Sequence, residues 1–144
     1  MAKKKDTKKK RKVVTNKQRK KKKKIDYILR AGRGRVYINS TYNNTIVTLT
    51  DQVGNVMVWG SAGRSGFTGP KQSTPFAAQQ VVKQLAEEVK SKGLVSVDAF
   101  LKGPGLGRDS VVRALNAHGI QVMTIKDVTP IPHNGCRIRR KRRV

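Results

Sequence analysis

Charge is distributed very unevenly along this chain of 144 residues, and this limits which part of it can fold. Residues 1–24 carry 15 Lys and Arg residues against the single acid Asp6, and residues 136–144 carry six against none. Positive charges at this density repel one another, and these ends hold too few apolar residues to offset the entropy lost on ordering. Only the intervening part is therefore expected to be compact, between tails that are disordered when free.

The net charge of +25 predicts a polyanionic partner. Nucleic acid fits best, because neutralising phosphates releases condensed counterions and gives affinity without sequence readout. Solubility and nuclear import are simpler explanations of short basic runs. A membrane surface is disfavoured, because the lysines are accompanied by neither a lipidation motif nor an aromatic-anchored amphipathic helix, and no apolar run approaches roughly 20 residues.

The compartment is expected to be reducing and cytoplasmic. The lysine-rich start lacks the apolar segment of a secretory signal. Cys136 is the single cysteine, so it forms no intrachain disulfide and has no partner thiol for a zinc site. No metal and no cofactor are predicted.

Hydrophobic periodicity predicts one α/β domain over residues 35–128, between a basic extension at 1–34 and a tail at 129–144. Strands are predicted at 35–40, 45–50, 55–59, 94–101 and 120–128, and helices from Pro75 to a stop at Gly93 and at about 110–118. Short links make the first three strands an antiparallel meander, and the strand, helix, strand passage predicts a right-handed crossover with parallel pairing. The expected order is β-β-β-α-β-α-β in a single mixed sheet.

Side-chain roles within these elements also follow from spacing. The helices are expected to bury Ala78, Val82, Leu85 and Val89, and Val111, Leu115 and either Ala114 or Val112. Glu88 and Lys92 are placed to pair. Asn43 and Asn44 are expected to include a positive-φ turn position, which accounts for them without a ligand. Asp109 is expected to cap the second helix.

The segment Lys102–Asp109 is a glycine-rich turn from a strand into a helix, a setting that favours phosphate binding. Its glycines, Gly103, Gly105 and Gly107, do not match a dinucleotide or P-loop pattern. Because Lys102 and Arg108 bracket the turn and Arg113 follows in the helix, the turn is expected to bind an RNA backbone rather than a mononucleotide. The alternative is a tight turn whose glycines only meet steric demands.

The glycine-rich loop 60–73 is a second candidate contact surface, since it is too long and polar to be only a connector. Arg64 and Lys71 surround Phe67, a mixture that suits phosphates and an unstacked base. The alternative, in which Phe67 plugs the core, is equally open.

The tail from Thr129 to Val144 begins with two prolines and ends in a run rich in arginine. Guanidinium groups bind phosphate in a bidentate fork and stack on bases, so this tail is expected to make more structured contacts than the lysine-rich start. His133 is interpreted as neither proton carrier nor metal ligand.

Catalysis by a two-metal nuclease would require converging carboxylates. The candidates are Asp51, Asp98, Asp109 and Asp127. Asp51 is predicted in a hairpin turn and no pair has a short spacing on one face, so the chain is not expected to be an enzyme.

Several strings together resemble the S-eleven family of small-subunit ribosomal proteins, in its bacterial form, over about residues 35–144. They are Tyr42–Asp51, Trp59–Gly63, Gly66–Gly69, Thr74–Ala78, Lys102–Asp109, Asp127–Arg137 and the final Arg142-Arg143-Val144. The chain departs from the family pattern at Ile138 and Arg139, where two prolines are usual, and in its lysine-rich start, onto which no contact is transferred.

The resemblance implies a ribonuclease-H-like sheet that binds small-subunit ribosomal RNA on the platform, near the messenger exit side. Implied partners are that RNA, neighbouring platform proteins and messenger RNA near the exit, with no homo-oligomer and a location in the cytoplasmic ribosome. The predicted RNA-contacting residues are Arg33, Arg35, Asn43, Asn44, Arg64, Gly66, Phe67, Lys71, Lys102, Gly103, Gly105, Gly107, Arg108, Arg113, His133, Asn134, Arg137, Arg139, Arg140, Lys141, Arg142 and Arg143. The alternative function is a general nucleic-acid condensing protein that acts through its tails alone.

Overall fold

A computed structural model describes residues 32–137 and 139–140, and its elements follow the expected order β-β-β-α-β-α-β. The strands are β1 (Arg33–Ser40), β2 (Thr45–Thr50), β3 (Val56–Ser61), β4 (Ser96–Lys102) and β5 (Gln121–Asp127). The helices are α1 (Pro75–Lys90) and α2 (Gly107–Ala117), and a 3-10 helix (Gly69–Ser73) precedes α1.

The five strands form a single mixed sheet in the order β3-β2-β1-β4-β5, which confirms the predicted fold class. The meander β1-β2-β3 is antiparallel, whereas β4 pairs in parallel with β1 on one side and with β5 on the other. The expected parallel portion is therefore present, and β1 lies at its boundary. Four strands, β1, β3, β4 and β5, consequently run in the same direction.

The core lies between one face of the sheet and the two helices. Alternate residues of each inner strand are buried, as in Val36 and Ile38 of β1, and they stand in register with Leu49 and Val47 of β2. Gly60 of β3 lets α1 approach closely, because a Cβ there would lie 3.1 Å from Val81 and 3.3 Å from Leu85. Each fully buried Val, Leu or Ile side chain stabilises the fold by about 1.5–3 kcal/mol.

The helix faces predicted from spacing are confirmed. The buried residues include Ala78, Val82, Leu85 and Val89 of α1 and Val111, Ala114 and Leu115 of α2, with Val112 only partly buried. Glu88 and Lys92 form the expected ion pair at 3.3 Å. The Lys92 ammonium also donates to the Met57 carbonyl (3.2 Å), which ties the end of α1 to β3.

The helix termini agree with the predictions only in part. Thr74 caps α1, since its hydroxyl accepts a hydrogen bond from the Ala77 amide (3.2 Å). Helix α2 starts at Gly107 rather than near 110, and its N-cap is Leu106. The predicted cap role of Asp109 was therefore wrong; its carboxylate lies in the first turn, where it complements the helix dipole.

The turn between β1 and β2 is formed by a side chain that the sequence did not single out. The positive-φ prediction for Asn43 and Asn44 was wrong, because Asn134 is the one residue other than glycine with positive φ in the described part of the chain. The Thr41 hydroxyl instead accepts from the amides of Asn43 (3.3 Å) and Asn44 (3.1 Å), and the Thr41 amide donates to the Asn44 carbonyl (2.9 Å). This is the threonine equivalent of an Asx turn.

Asp51 lies in the β2–β3 hairpin turn, as predicted, and its side chain stabilises that turn. Its buried carboxylate accepts hydrogen bonds from the amides of Gly54 (2.6 Å) and Asn55 (2.8 Å) and from the Asn55 side chain (2.8 Å). Burial alone would raise the pKa of Asp51, but these hydrogen bonds outweigh it and lower the pKa below the ordinary value of 3.8. The ionised form is therefore the one that stabilises the turn.

Asp51→Asn should destabilise the protein at neutral pH by about 1–3 kcal/mol. The reason is that the asparagine side chain replaces one acceptor oxygen with an NH2 group, which faces the N–H donors that now bind the Asp51 carboxylate. The extra free energy of unfolding of the wild type is fully present above pH 3.8 and is lost as the pH falls through the lowered pKa of Asp51 in the folded state. Denaturant unfolding of both proteins at neutral and acidic pH measures this difference. A stability difference that persists undiminished well below pH 3.8 would contradict the assignment.

Candidate nucleic-acid interface

One edge of the sheet gathers most of the segments predicted to bind RNA. Because β1, β3, β4 and β5 run in the same direction, the segments that follow them emerge together. We call this the loop edge; it consists of residues 41–44, 62–74, 102–108 and 127–130, including the strand and helix ends that flank the loops. Both helices also begin here, so their positive dipole ends add to its electrostatic potential.

The segments of the loop edge are hydrogen-bonded to one another. The Ala62 amide donates to the Thr45 carbonyl (3.1 Å), and the Gly105 amide donates to the Ser40 carbonyl (2.9 Å). The Gly103 amide donates to the Thr129 hydroxyl (3.1 Å). These bonds hold the β1–β2 hairpin, the loops after β3 and β4 and the C-terminal segment in fixed positions relative to one another.

The glycines of the 103–107 turn pack against the β1–β2 hairpin. A Cβ at Gly103 would collide with the Ser40 carbonyl oxygen, and one at Gly105 with the Ser40 hydroxyl. At Gly107 a Cβ would lie 2.5 Å from the Thr45 hydroxyl, which is hydrogen-bonded to that of Ser40 (3.1 Å). Steric demand therefore explains all three glycines, and the amides of Gly103 and Gly105 are already used within the protein.

The cations beside this turn are the side chains of Lys102 and Arg108. Arg108 donates to the Asp127 carboxylate at 2.9 Å. Hydrogen bonds from the side chain and backbone of Thr129, together with the Arg108 charge, lower the pKa of Asp127, so the pair stays ionised. Lys102 is exposed at the end of β4 and makes no ion pair with any residue in the described part of the chain.

In the loop after β3, basic side chains lie beside aromatic side chains. The Arg64 guanidinium lies 5.0 Å from the Trp59 ring centroid and donates to the Trp59 carbonyl (3.2 Å). Phe67 is partly buried against the core and meets Phe76 edge-on, with ring centroids 6.0 Å apart. The packing of Phe67 therefore agrees with the alternative in which this ring fills space against the core. Lys71 is exposed in the 3-10 helix.

Two exposed aromatic residues near the loop edge were missed by sequence reasoning. Phe76 is 60% exposed at the start of α1, and Trp59 is 51% exposed beside Arg64. Trp59 was placed in a strand and Phe76 in a helix, where a large apolar residue is ordinarily taken for core. Only the strand alternation, in which Val58 points inward, carried a signal that Trp59 points outward.

Three predicted contact residues lie away from the loop edge. Arg33 and Arg35 are at the opposite end of β1, and one guanidinium nitrogen of Arg33 donates to both carboxylate oxygens of Asp98, at 3.0 and 3.1 Å. Arg113 lines a shallow groove between α1 and α2 with Gln79 and His118. The fold therefore does not bring these arginines together with Lys102 and Arg64.

The C-terminal segment continues outward from the loop edge. Val128 is anchored by its amide, which donates to the Leu101 carbonyl (2.8 Å), and His133, Asn134, Arg137, Arg139 and Arg140 are all exposed. Asn134 has φ +53°. The predicted contacts Lys141, Arg142 and Arg143 lie outside the described residues, as do residues 1–31 of the predicted extension 1–34.

The carboxylates considered for a nuclease are spread over the molecule. Asp51 is in the β2–β3 turn, Asp98 in β4, Asp109 in α2 and Asp127 at the end of β5. Over residues 32–137 and 139–140, no three His, Cys, Asp or Glu side chains form a group suited to a metal ion. In the same part of the chain, neither helix is long and apolar enough to cross a membrane.

A family model described as ribosomal protein S11 matches residues 34–143. The chain belongs to this family. The match spans the sheet except for Arg33, the first residue of β1, together with both helices and all segments of the loop edge. The protein is therefore a structural component of the small ribosomal subunit and not an enzyme, which confirms the resemblance drawn from the sequence.

Gly103→Ala should destabilise the fold more than Gly54→Ala, although both glycines have similar positive φ, +97° and +106°. An added Cβ meets the Ser40 backbone at Gly103 and nothing within 4 Å at Gly54. The backbone strain is common to both variants, so the difference, about 1–3 kcal/mol, isolates the packing of the turn on the hairpin. Thermal unfolding of the two variants measures it, and equal losses would contradict this packing.

Proposed function

We propose that this protein binds small-subunit ribosomal RNA through the loop edge of its folded domain, with the basic tails neutralising nearby phosphates. The observation that supports this most strongly is the convergence of Arg64, Lys71 and Lys102 with two helix N-termini on one edge of the sheet. Phosphate contacts of this kind fix the register and orientation of a protein on RNA without reading sequence.

The acidic side chains of the described domain favour this edge over the opposite one. Asp51 closes the β2–β3 turn, and Glu87 and Glu88 lie in the last turns of α1, so all three are at the far end of the sheet. At the loop edge, Asp127 is neutralised by Arg108, and Asp109 lies in the first turn of α2. Because Arg64, Lys71 and Lys102 outnumber Asp109, the loop edge keeps an excess of positive charge that attracts a polyphosphate chain.

The position proposed within the subunit comes from membership of the family. We place the protein on the platform of the small subunit near the messenger exit, as a single copy in the cytoplasmic ribosome. Its partners there are neighbouring platform proteins and the passing messenger RNA. In the proposed organisation, the domain at 35–128 orients the protein, and the segments 1–34 and 129–144 follow RNA strands.

Lys102→Ala should weaken binding to ribosomal RNA and reduce the slope of log affinity against log salt by roughly 0.7–0.9, the value for one lost phosphate contact. Lys90→Ala is the matched control, because it removes the same charge at the far end of α1. Arg108→Ala should have a smaller effect than Lys102→Ala, since Asp127 already neutralises Arg108. Filter binding across a salt series measures all three, and identical slopes for Lys102→Ala and Lys90→Ala would argue against the loop edge.

Deletion of residues 1–24 should lower affinity for all RNA but leave the preference for one ribosomal RNA site over bulk RNA. The reason is that these 15 cations bind without readout, whereas the folded domain fixes orientation. Competition binding against unrelated RNA measures the preference. Complete loss of binding in the shortened chain would instead support the tail-driven condensing protein.

A further inference from the structure

The face of the sheet opposite the helices carries one continuous line of side chains across all five strands. Successive strand registers pair Trp59 with Thr48, Thr48 with Tyr37, Tyr37 with Phe100, and Phe100 with Lys126. We call these five residues the transverse row. It extends over four inter-strand spacings of about 4.8 Å, a width of roughly 19 Å.

Two of the three aromatic members of the transverse row, Trp59 and Tyr37, are open to solvent, and Phe100 is half-buried. Trp59 is 51% and Tyr37 is 38% exposed, and the rings of Tyr37 and Phe100 are stacked with centroids 5.1 Å apart and planes 17° from parallel. Both helices lie on the other face, and no element in the described part of the chain covers this one. Exposed aromatic residues grouped in this way mark an interaction surface.

Cations occupy both ends of the row. Arg64 lies over the Trp59 ring at 5.0 Å, and the Lys126 ammonium lies 6.0 Å from the Phe100 ring centroid. Asp98 is the one carboxylate among the described outward-facing strand residues, and the Arg33 guanidinium pairs with it. The face therefore combines aromatic rings with an excess of positive charge.

We propose that the transverse row binds unpaired nucleotides of a single-stranded RNA segment, with bases packed against the exposed rings of Trp59 and Tyr37, the latter supported by Phe100, and phosphates directed to Arg64 and Lys126. Every base has a π-face, so stacking of this kind tolerates any sequence. The width of the row suits the two or three bases that sheet-based RNA-binding domains stack on their open face. Bases in a duplex are already stacked and cannot use it.

A protein partner fits this face less well. Polar and charged residues interrupt its apolar surface, with Thr48 inside the row and Arg35 and Asn39 on either side of Tyr37 along β1. The fully buried centre of a protein interface is depleted in charge, whereas cations next to aromatic rings are the usual composition of single-strand RNA surfaces.

The proposal rests on the proposed function in taking RNA as the ligand and in sharing Arg64, while the five residues of the row itself lie outside the loop edge. Its test uses the full-length protein with an oligouridylate of about 10 nucleotides, within the usual site size, and an RNA duplex of the same length. Tyr37→Ala should weaken binding of the single strand at least about fivefold and leave duplex binding unchanged. Tyr37→Phe keeps the ring and should retain wild-type affinity for both.

Lys126→Ala provides a variant that does not disturb the aromatic stack, and Lys83→Ala, on the exposed surface of α1, removes the same charge elsewhere. Lys126→Ala should weaken binding of the oligouridylate more than Lys83→Ala does. Thermal unfolding of each variant identifies any loss of folding. If Tyr37→Ala unfolds, the comparison of the two lysine variants decides the question.

Trp59 is the single tryptophan of the chain and reports directly from the row. The oligouridylate should quench its fluorescence in wild type more strongly than the duplex at equal saturation. Equal quenching by both RNAs, together with unchanged affinity in Tyr37→Ala and Lys126→Ala, would overturn the proposal. Variants that bind both RNAs normally but fail to enter small-subunit particles would also overturn it and assign the face to a protein, while the Lys102→Ala salt slope separately decides the proposed function.

Discussion

The close contact between the 103–107 turn and the β1–β2 hairpin fixes the arrangement of this molecule. Gly105 and Gly107 are buried against the hydrogen-bonded hydroxyls of Ser40 and Thr45, and a Cβ at Gly107 would also come within 3.3 Å of Ala78 in α1. One contact thus joins the central strand, the start of α2 and the start of α1. Because side chains larger than hydrogen do not fit, the relative position of the loops is set by backbone packing.

A charged surface on this framework loses less entropy on binding than the same cations would in a disordered tail. Arg64 is held over Trp59 by its bond to the strand carbonyl, and Arg108 is held by Asp127. In the proposed function, positions fixed before binding give orientation, whereas the lysines of residues 1–24 would contribute affinity that depends on salt and not on geometry. The two kinds of cation therefore have different parts in the proposed function.

The sequence predicted the class, order and inward-facing residues of the fold because periodicity is a local property. Spacing alone identified Val82, Leu85 and Val111 as core. The predicted ends of elements were wrong where tertiary contacts determine them. Strand β3 extends through Gly60 and Ser61, because both residues continue to pair with β2. Helix α2 incorporates Gly107, which looks like a loop residue when its contact with Thr45 is unknown.

Parts of the candidate site whose residues are close in sequence could be predicted. Parts that depend on which strands pair in the sheet could not. Lys102 and Arg108 flank a recognisable turn, so composition indicated them directly. The pairing of Tyr37 with Phe100 depends on parallel alignment of strands 63 residues apart in sequence, which no local pattern contains. Arg33 and Arg35 show the reverse, since they are basic but lie at the other end of β1.

In the proposed function, ribosomal RNA contacts the loop edge of the folded domain and not the tails alone. A density map of the assembled small subunit distinguishes these two possibilities. We expect RNA phosphates within roughly 4 Å of the charged groups of Lys102 and Arg64, the usual limit for an ion pair, and none beside Asp51 and Glu87. RNA density that follows only residues 1–34 and 129–144, with the loop edge facing solvent, would contradict it.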